Sequence, residues 1–181
     1  MTTVHEEILL SSEETSLLIQ QLADRISSDI TQPKKWVMVG IRRGGAVVAQ
    51  LLRERLNAIL GQTLPIGFLD ITFYRDDLHT IGPNPVVGAT DLSMEINDKR
   101  IILVDDVLFT GRTIRAALNA LFDYGRPESV DLAVLVDRGG RQLPIQPNYA
   151  GTTIAANKHE TIKLVERNKG EWIVIRRYLD A

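Results

Sequence analysis

Leu18, Leu22, Ile26 and Ile30 recur every four positions, the repeat of one face of an amphipathic helix. Ser11-Ser12-Glu13-Glu14 precedes it in the form of a capping box, an acid three residues after Ser11, and Pro33 stops the pattern. Residues 36–41 are a short apolar run containing Gly40, which predicts a buried strand. After Gly44-Gly45, residues 46–60 read as a helix that stops at Gly61. Residues 64–74 are rich in β-branched and aromatic side chains and predict a second strand. The pattern then weakens over residues 75–97, where Gly82, Pro83, Asn84, Pro85 and Gly88 fall. A loop this long inside a compact domain is usually functional or disordered. Residues 100–105 predict another buried strand, 112–124 a helix ended by Gly125, and 130–136 a further strand. Beyond Gly139-Gly140 only the short strand-like pieces 161–165 and 172–176 stand out.

Strands alternating with helices imply βαβ units, and so an α/β fold with a mainly parallel sheet flanked by helices. The 181 residues suffice for one domain with a sizeable core, placed at about 8–138, with 139–181 as a small β-rich appendage. A hydrophobic share of 44% and a charged share of 24% are those of an ordinary soluble globular protein and exclude disorder for the bulk of the chain. No apolar run reaches the roughly 18 residues of a membrane span. The first residues lack the basic-then-apolar pattern of a signal peptide, so a cytoplasmic location is expected. With no cysteine, a disulfide scaffold, a Cys-ligated zinc site and a thiol nucleophile are excluded. A formal net charge of −2 does not mark a nucleic-acid binder, although a local basic patch can sit on a neutral protein. His5, His79 and His159 are scattered without metal-ligand spacing and read as surface or packing residues.

The stretch that carries chemistry runs from Ile101 to Thr113, Ile-Ile-Leu-Val-Asp-Asp-Val-Leu-Phe-Thr-Gly-Arg-Thr. An apolar strand ends in the adjacent carboxylates Asp105 and Asp106, and a turn rich in hydroxyl and Gly leads into a helix. Open α/β sheets bind ligands at the carboxyl ends of their strands. A turn before a helix offers free backbone N–H groups to an anionic phosphate, and Thr110 and Thr113 add hydroxyl donors. Gly111 permits a tight turn and close approach of the ligand. Carboxylates accept hydrogen bonds, so the acid pair suits a vicinal diol. A ribose 5-phosphate fits both halves. A dinucleotide fold would carry Gly-x-Gly-x-x-Gly after a strand, and a triphosphatase P-loop would carry Gly-Lys-Ser/Thr; neither is present. A response-regulator receiver has its acid pair after the first strand, whereas here it follows the third predicted one.

This run resembles the phosphoribosyl-pyrophosphate (PRPP) motif of type I phosphoribosyltransferases. Together with the segment from Asp70 to Leu78, Gly125-Arg126-Pro127 and Leu135-Val136-Asp137-Arg138-Gly139, it resembles the PyrR family, bifunctional regulators of pyrimidine operons and uracil phosphoribosyltransferases. The resemblance extends from about Ile8 to Leu179. It implies the type I phosphoribosyltransferase fold, with a β-rich hood formed by about 139–181 and a flexible lid at 75–97.

The resemblance also implies roles for residues. Val104, Asp105, Asp106, Val107, Leu108, Phe109, Thr110, Gly111, Arg112 and Thr113 would hold the ribose 5-phosphate, with Asp105 and Asp106 on the ribose hydroxyls. Ile41, Arg42, Arg43 and Gly44 occupy the place of the pyrophosphate loop, and two arginines with flexible amides suit a diphosphate. Which of the two side chains grips it stays open. Arg75 lies at the base of the lid. Asp137, Arg138 and Ile162 lie where relatives bind the base or nucleotide; for Arg138 an alternative is a salt bridge to a neighbouring acid. Asp76 and Asp77 read as ordinary solvated charges. The implied reaction joins uracil to PRPP, giving UMP and pyrophosphate, with Mg²⁺ held mainly by substrate and water.

Family members also bind the leader of pyrimidine-gene messenger RNA when UMP is present. The first helix here offers Glu13, Glu14, Asp24 and Asp29 against Arg25, and Gln146 and Thr152 stand where relatives tend to be basic. Arg138 and Arg141 remain, with Lys158 and Lys163 nearby, so the basic face is depleted. A salvage enzyme without RNA regulation, or a transferase for another base, is the alternative. A homodimer or higher homo-oligomer is implied, with no membrane partner.

Overall fold

The computed structural model describes residues 4–77 and 88–179. Five strands form the larger sheet: β2 (Trp36–Ile41), β3 (Ile66–Leu69), β4 (Arg100–Leu108), β5 (Ser129–Asp137) and β6 (Tyr149–Thr153). Their order is β3-β2-β4-β5-β6, and every neighbouring pair is parallel. Three strands, β1 (Val4–Leu10), β7 (Glu160–Asn168) and β8 (Glu171–Leu179), form a small antiparallel sheet in the order β1-β8-β7. The helices are α1 (Ser12–Asp29), α2 (Gly44–Leu60) and α3 (Arg112–Phe122).

Alternation along the buried strands divides the core in two. Met38, Ile102, Val104 and Leu135 face Ile19 and Leu22 of α1 and Val48 and Leu52 of α2. Val37, Val39, Ile101, Leu103 and Val134 face Ile114, Ala117 and Leu121 of α3. The sheet is therefore covered on both sides. The hood joins the first core through Ile162 and Val174. Ser11 caps α1 as expected: the Glu14 N–H donates to its Oγ at 3.2 Å, and the Ser11 N–H donates to Glu14 Oε2 at 2.7 Å.

Several elements differ from the sequence pattern, each for a local reason. The predicted strand 64–74 shortens to β3 because Asp70 turns the chain: its Oδ1 accepts the Thr72 N–H at 2.8 Å, and a 3₁₀ turn follows at Thr72–Tyr74. Strand β4 runs past the acid pair to Leu108, since its ladder with β5 continues through Asp105↔Val134 and Leu108↔Asp137. Strand β1 carries little apolar alternation; charge pairs it instead, with Glu6 opposite Arg177 and Glu7 opposite Arg176. Strand β6 falls within the stretch expected as hood, yet it pairs with β5 in the larger sheet. The Tyr149 hydroxyl then donates to Asp29 Oδ2 of α1 at 2.6 Å and fastens that edge. His79 and residues 78–87 of the expected lid lie outside the described residues. No helix among the described residues is long and apolar enough to cross a membrane.

Candidate active site

Adjacent strands β2 and β4 run parallel, Gly40 opposite Val104, so the loops that leave their carboxyl ends meet. Glycine allows them to touch. A Cβ at Gly44 would stand 2.2 Å from Asp106 Oδ2, and one at Gly45 would stand 2.5 Å from the Val104 carbonyl oxygen and 2.8 Å from Asp105 Cα. The sequence-expected pyrophosphate loop and the acid pair are thus one packed unit. Ile41 is a core side chain beneath them, Arg43 is exposed, and the Arg42–Arg43 peptide is cis. Arg42 donates from Nε to the Ala89 carbonyl at 2.8 Å, and its guanidinium lies 5.3 Å from the centre of the Phe68 ring.

The two acids have different surroundings. Asp105 is 5% exposed and Asp106 is half-buried. Burial pushes the Asp105 carboxyl well above the usual carboxylate range, and the charge of Asp106 pushes the same way. The Asp106 N–H, which donates to Asp105 Oδ1 at 2.9 Å, opposes this. The pair thus sets a buried carboxyl, whose ionisation the surroundings oppose, beside a half-buried one at the sheet edge.

Gly111 has φ +89 and begins α3 with no side-chain cap of its own; the Arg112 N–H donates to Thr110 Oγ1 at 3.2 Å, and the amides that follow in the first turn face the sheet edge as an anion site would. The Thr110 carbonyl accepts from the Gln142 and Leu143 N–H groups at 2.9 and 3.1 Å, so the turn is held from the segment after β5. Phe109 is exposed at its tip. The Arg138 guanidinium lies 3.7 Å from its ring centre, and a Cβ at Gly140 would meet its ring at 2.5 Å. Val104 and Leu108 are fully buried core side chains, and Val107 packs against the core, so only their backbone can face a ligand.

Arg138 is 8% exposed, and the salt bridge weighed for it from sequence is not formed among the described residues. It donates to the carbonyls of Glu160 at 3.1 Å and Asn157 at 3.0 Å, joining the hood to Phe109. Asp137 accepts from Arg141 Nη2 at 2.6 Å and from the Gly139 N–H at 2.9 Å; Arg141 holds its carboxyl below the usual range. Ile162 is packed in the core at 4% exposure. Arg75 lies at a cavity of about 190 Å³ that it shares with Asp76, Asp77, Thr110, Arg112 and Thr113, and it is paired with Asp77 at 2.7 Å.

Asp76, read from sequence as a solvated charge, binds Arg112 Nη1 at 2.8 Å and also Arg115. Those contacts depend on tertiary placement, and no local pattern announces them. The same holds for Asp70 and Phe68, which meet the Arg42 side through residues 88–91.

The phosphoribosyl transferase domain family matches residues 5–166. "Bifunctional protein PyrR" of Caldicellulosiruptor bescii is 47% identical over 161 residues, 86% of this chain and 88% of the relative. That of Alkaliphilus metalliredigens is 43% identical over 172 residues, 94% of each chain. The chain belongs to the PyrR family. A solved hypoxanthine-guanine phosphoribosyltransferase of Bacillus anthracis superposes with a TM-score of 0.70 at 20% identity, covering 92% of this chain and 96% of the other. The PyrR chain therefore has the type I phosphoribosyltransferase fold.

Proposed function

We propose that the chain transfers the phosphoribosyl group of PRPP to uracil, producing UMP and pyrophosphate. The observation that carries this is the acid pair Asp105-Asp106 packed against the Gly44 loop, on the same sheet edge as the start of α3. The bond between C1 of the ribose and the pyrophosphate oxygen breaks, with its electron pair leaving on pyrophosphate. Uracil N1 bonds to C1 and gives up its proton. The centre develops oxocarbenium character, so positioning and charge matter more than a protein nucleophile.

In this reading the amides of Gly111 to Thr113 and the Thr110 and Thr113 hydroxyls hold the 5-phosphate. Asp106 and Asp105 orient the ribose hydroxyls, and Arg42 with the Gly44 and Gly45 amides receives the departing diphosphate. Arg138 acts through Phe109 and the 157–160 backbone rather than on the nucleotide. Among the described residues no cluster of three or more His, Asp or Glu side chains could hold a metal ion. The donor set that is present, two adjacent carboxylates beside a diphosphate loop, suits Mg²⁺ ligated mostly by substrate and water. When bound, that ion supplies charge neutralisation of the diphosphate. The chain acts as one domain, and the family resemblance supports a homodimer and a cytoplasmic location.

The second activity, UMP-dependent binding of pyrimidine-gene leader RNA, is supported by the relatives' description as bifunctional. Of the arginines left to that face, Arg141 is committed to Asp137, to the Ile145 carbonyl and to the Phe109 carbonyl. Lys158, Lys163, Arg167 and Lys169 are exposed cations that the hood presents, with Arg167 3.7 Å from Glu6.

The test of the transferase reading is base competition. Purified protein with PRPP and Mg²⁺ is offered uracil, hypoxanthine and adenine, and nucleotide and pyrophosphate are measured. Stoichiometric UMP and pyrophosphate from uracil alone is the expected result. A purine nucleotide formed at a comparable rate would move the reading to another base.

A further inference from the structure

Asp70 follows β3 directly and takes no part in the reaction described above. Its carboxylate serves two separate backbone segments. Oδ1 accepts the Thr72 N–H at 2.8 Å, and Oδ2 accepts the Gly88 N–H at 2.7 Å. The Asp70 N–H donates to Thr90 Oγ1 at 3.0 Å. Phe68 and Asp91 exchange both backbone hydrogen bonds at 2.8 Å. Residues 88–91 are thus laid against the end of β3, with the Asp70 carboxylate at their start.

The next carbonyl in that segment, of Ala89, accepts from Arg42 Nε at 2.8 Å. Phe68, paired with the same segment, lies under the Arg42 guanidinium. The joint is tight: a Cβ at Gly88 would stand 2.7 Å from Asp70 Oδ2 and 3.1 Å from Arg42 Cδ. No salt bridge among the described residues joins Asp70 to Arg42; the charge of Arg42 acts on the Asp70 carboxyl from a distance, and the hydrogen-bonded connection runs through the Gly88–Ala89 backbone. With Nε fixed on that carbonyl and the guanidinium carbon 5.3 Å from the Phe68 ring centre, the two terminal nitrogens are what Arg42 can offer to a ligand. A guanidinium held in this way loses less rotamer freedom on gripping a diphosphate.

We infer that Asp70 is a positioning residue for Arg42, setting the guanidinium for the diphosphate of PRPP by fixing the backbone that receives its Nε. This rests on the reading of 41–44 as the diphosphate loop, and it goes beyond that reading by assigning a residue outside the loop. A carboxylate is needed because two N–H groups from different segments converge on it. An amide side chain would turn one donor toward another donor.

The experiment measures pyrophosphate affinity in the presence of Mg²⁺, together with KM for PRPP and for uracil. It uses wild type, Asp70→Ala, Asp70→Asn, Arg42→Ala and the Asp70→Ala/Arg42→Ala double variant, each with a melting curve. Asp70→Ala is expected to weaken pyrophosphate binding and raise KM for PRPP by about tenfold, the worth of one ordinary hydrogen bond, with KM for uracil nearly unchanged. Asp70→Asn should fall between it and wild type. The double variant should bind no more weakly than Arg42→Ala alone, because both changes disable the same group. Should Asp70→Ala fail to fold, Gly88→Ala presses on the same joint and should show the same selective rise in KM for PRPP.

Multiplying losses in the double variant would overturn the inference. So would equal rises in KM for both substrates that track a fall in melting temperature. If Arg42→Ala weakens pyrophosphate binding while Asp70→Ala does not, the inference alone fails. If Arg42→Ala itself has no effect, the loop assignment fails with it.

Discussion

Adding a methyl group at Gly44 tests the packed unit at the centre of the site. The new Cβ would lie 2.2 Å from Asp106 Oδ2 and 2.4 Å from its Cγ. These atoms belong to a movable, half-buried side chain, so the carboxylate withdraws and the backbone stays. Moving from 2.2 Å to an ordinary contact at 3.4 Å displaces Asp106 by about 1.2 Å. A misplacement on the order of 1 Å in a positioning group costs roughly a hundredfold in rate, about 2.7 kcal/mol of transition-state stabilisation. The fold should not suffer, since Gly44 is the first residue of α2, where alanine takes helical backbone geometry as readily as glycine. Gly44→Ala should therefore melt at or above the wild-type temperature while forming UMP about a hundredfold more slowly. Gly45→Ala gives the contrast. Its Cβ meets backbone, the Val104 carbonyl at 2.5 Å and Asp105 Cα at 2.8 Å, and should destabilise the fold by roughly 1–3 kcal/mol. Combined with Asp106→Ala, Gly44→Ala should cost nothing more. Wild-type turnover in Gly44→Ala, or a loss that only follows unfolding, would refute the reasoning.

Other outcomes follow from the same contacts. Because the folded chain holds a proton on Asp105 above the ordinary carboxylate value of 3.8, it binds more protons than the unfolded chain from there up to the raised value. That contribution to stability is complete below the ordinary value and fades as pH rises through the raised one. Asp105→Asn should remove this slope and stabilise the ligand-free protein at neutral pH, and melting curves that keep the wild-type pH slope would contradict it. Tyr149→Phe leaves Asp29 without the hydroxyl that donates to it at 2.6 Å and should cost about 1.5–3 kcal/mol in denaturant unfolding, with uracil transfer intact. Arg138→Met strips donors from the Glu160 and Asn157 carbonyls and the cation from Phe109, at a cost of about 2–3 kcal/mol measured in the same way.

What could be read from the chain without its structure follows from how local each signal is. The capping box at Ser11, the apolar runs of β2, β4 and β5, and the turn before α3 are written in neighbouring residues, and each is found. The acid pair was recognisable because strand, carboxylates, Gly turn and helix are contiguous. Strand β1 was not legible, since its pairing relies on Arg176 and Arg177 at the far end of the chain. Strand β6 was missed because Tyr-Ala-Gly-Thr-Thr has neither an apolar run nor clean alternation; it is a strand through its register with β5. Arginine roles were the least legible. A guanidinium reaches far, so whether Arg138 meets a ligand, an acid or two carbonyls is decided by the hood turn that packs beside it.

That last point bears on the regulatory activity. Arg138 is buried beneath the hood, and Arg141 is spent on Asp137 and two carbonyls, so removing either disturbs structure before it removes an accessible charge. Lys158 and Lys163 are exposed, one in the turn whose backbone Arg138 grips and one on β7. Each lysine that neutralises an RNA phosphate contributes roughly 0.7–0.9 to the slope of log affinity against log salt. Lys158→Ala and Lys163→Ala should each lower that slope by about one while leaving uracil transfer and melting unchanged. Arg141→Ala should lower the melting temperature and leave the slope as it was. The measurement is a titration of leader RNA with UMP at several salt concentrations. An unchanged slope in both lysine variants, with a reduced one in Arg141→Ala, would mean that the arginine leaves its internal partners when RNA binds and that Lys158 and Lys163 lie outside the contact surface.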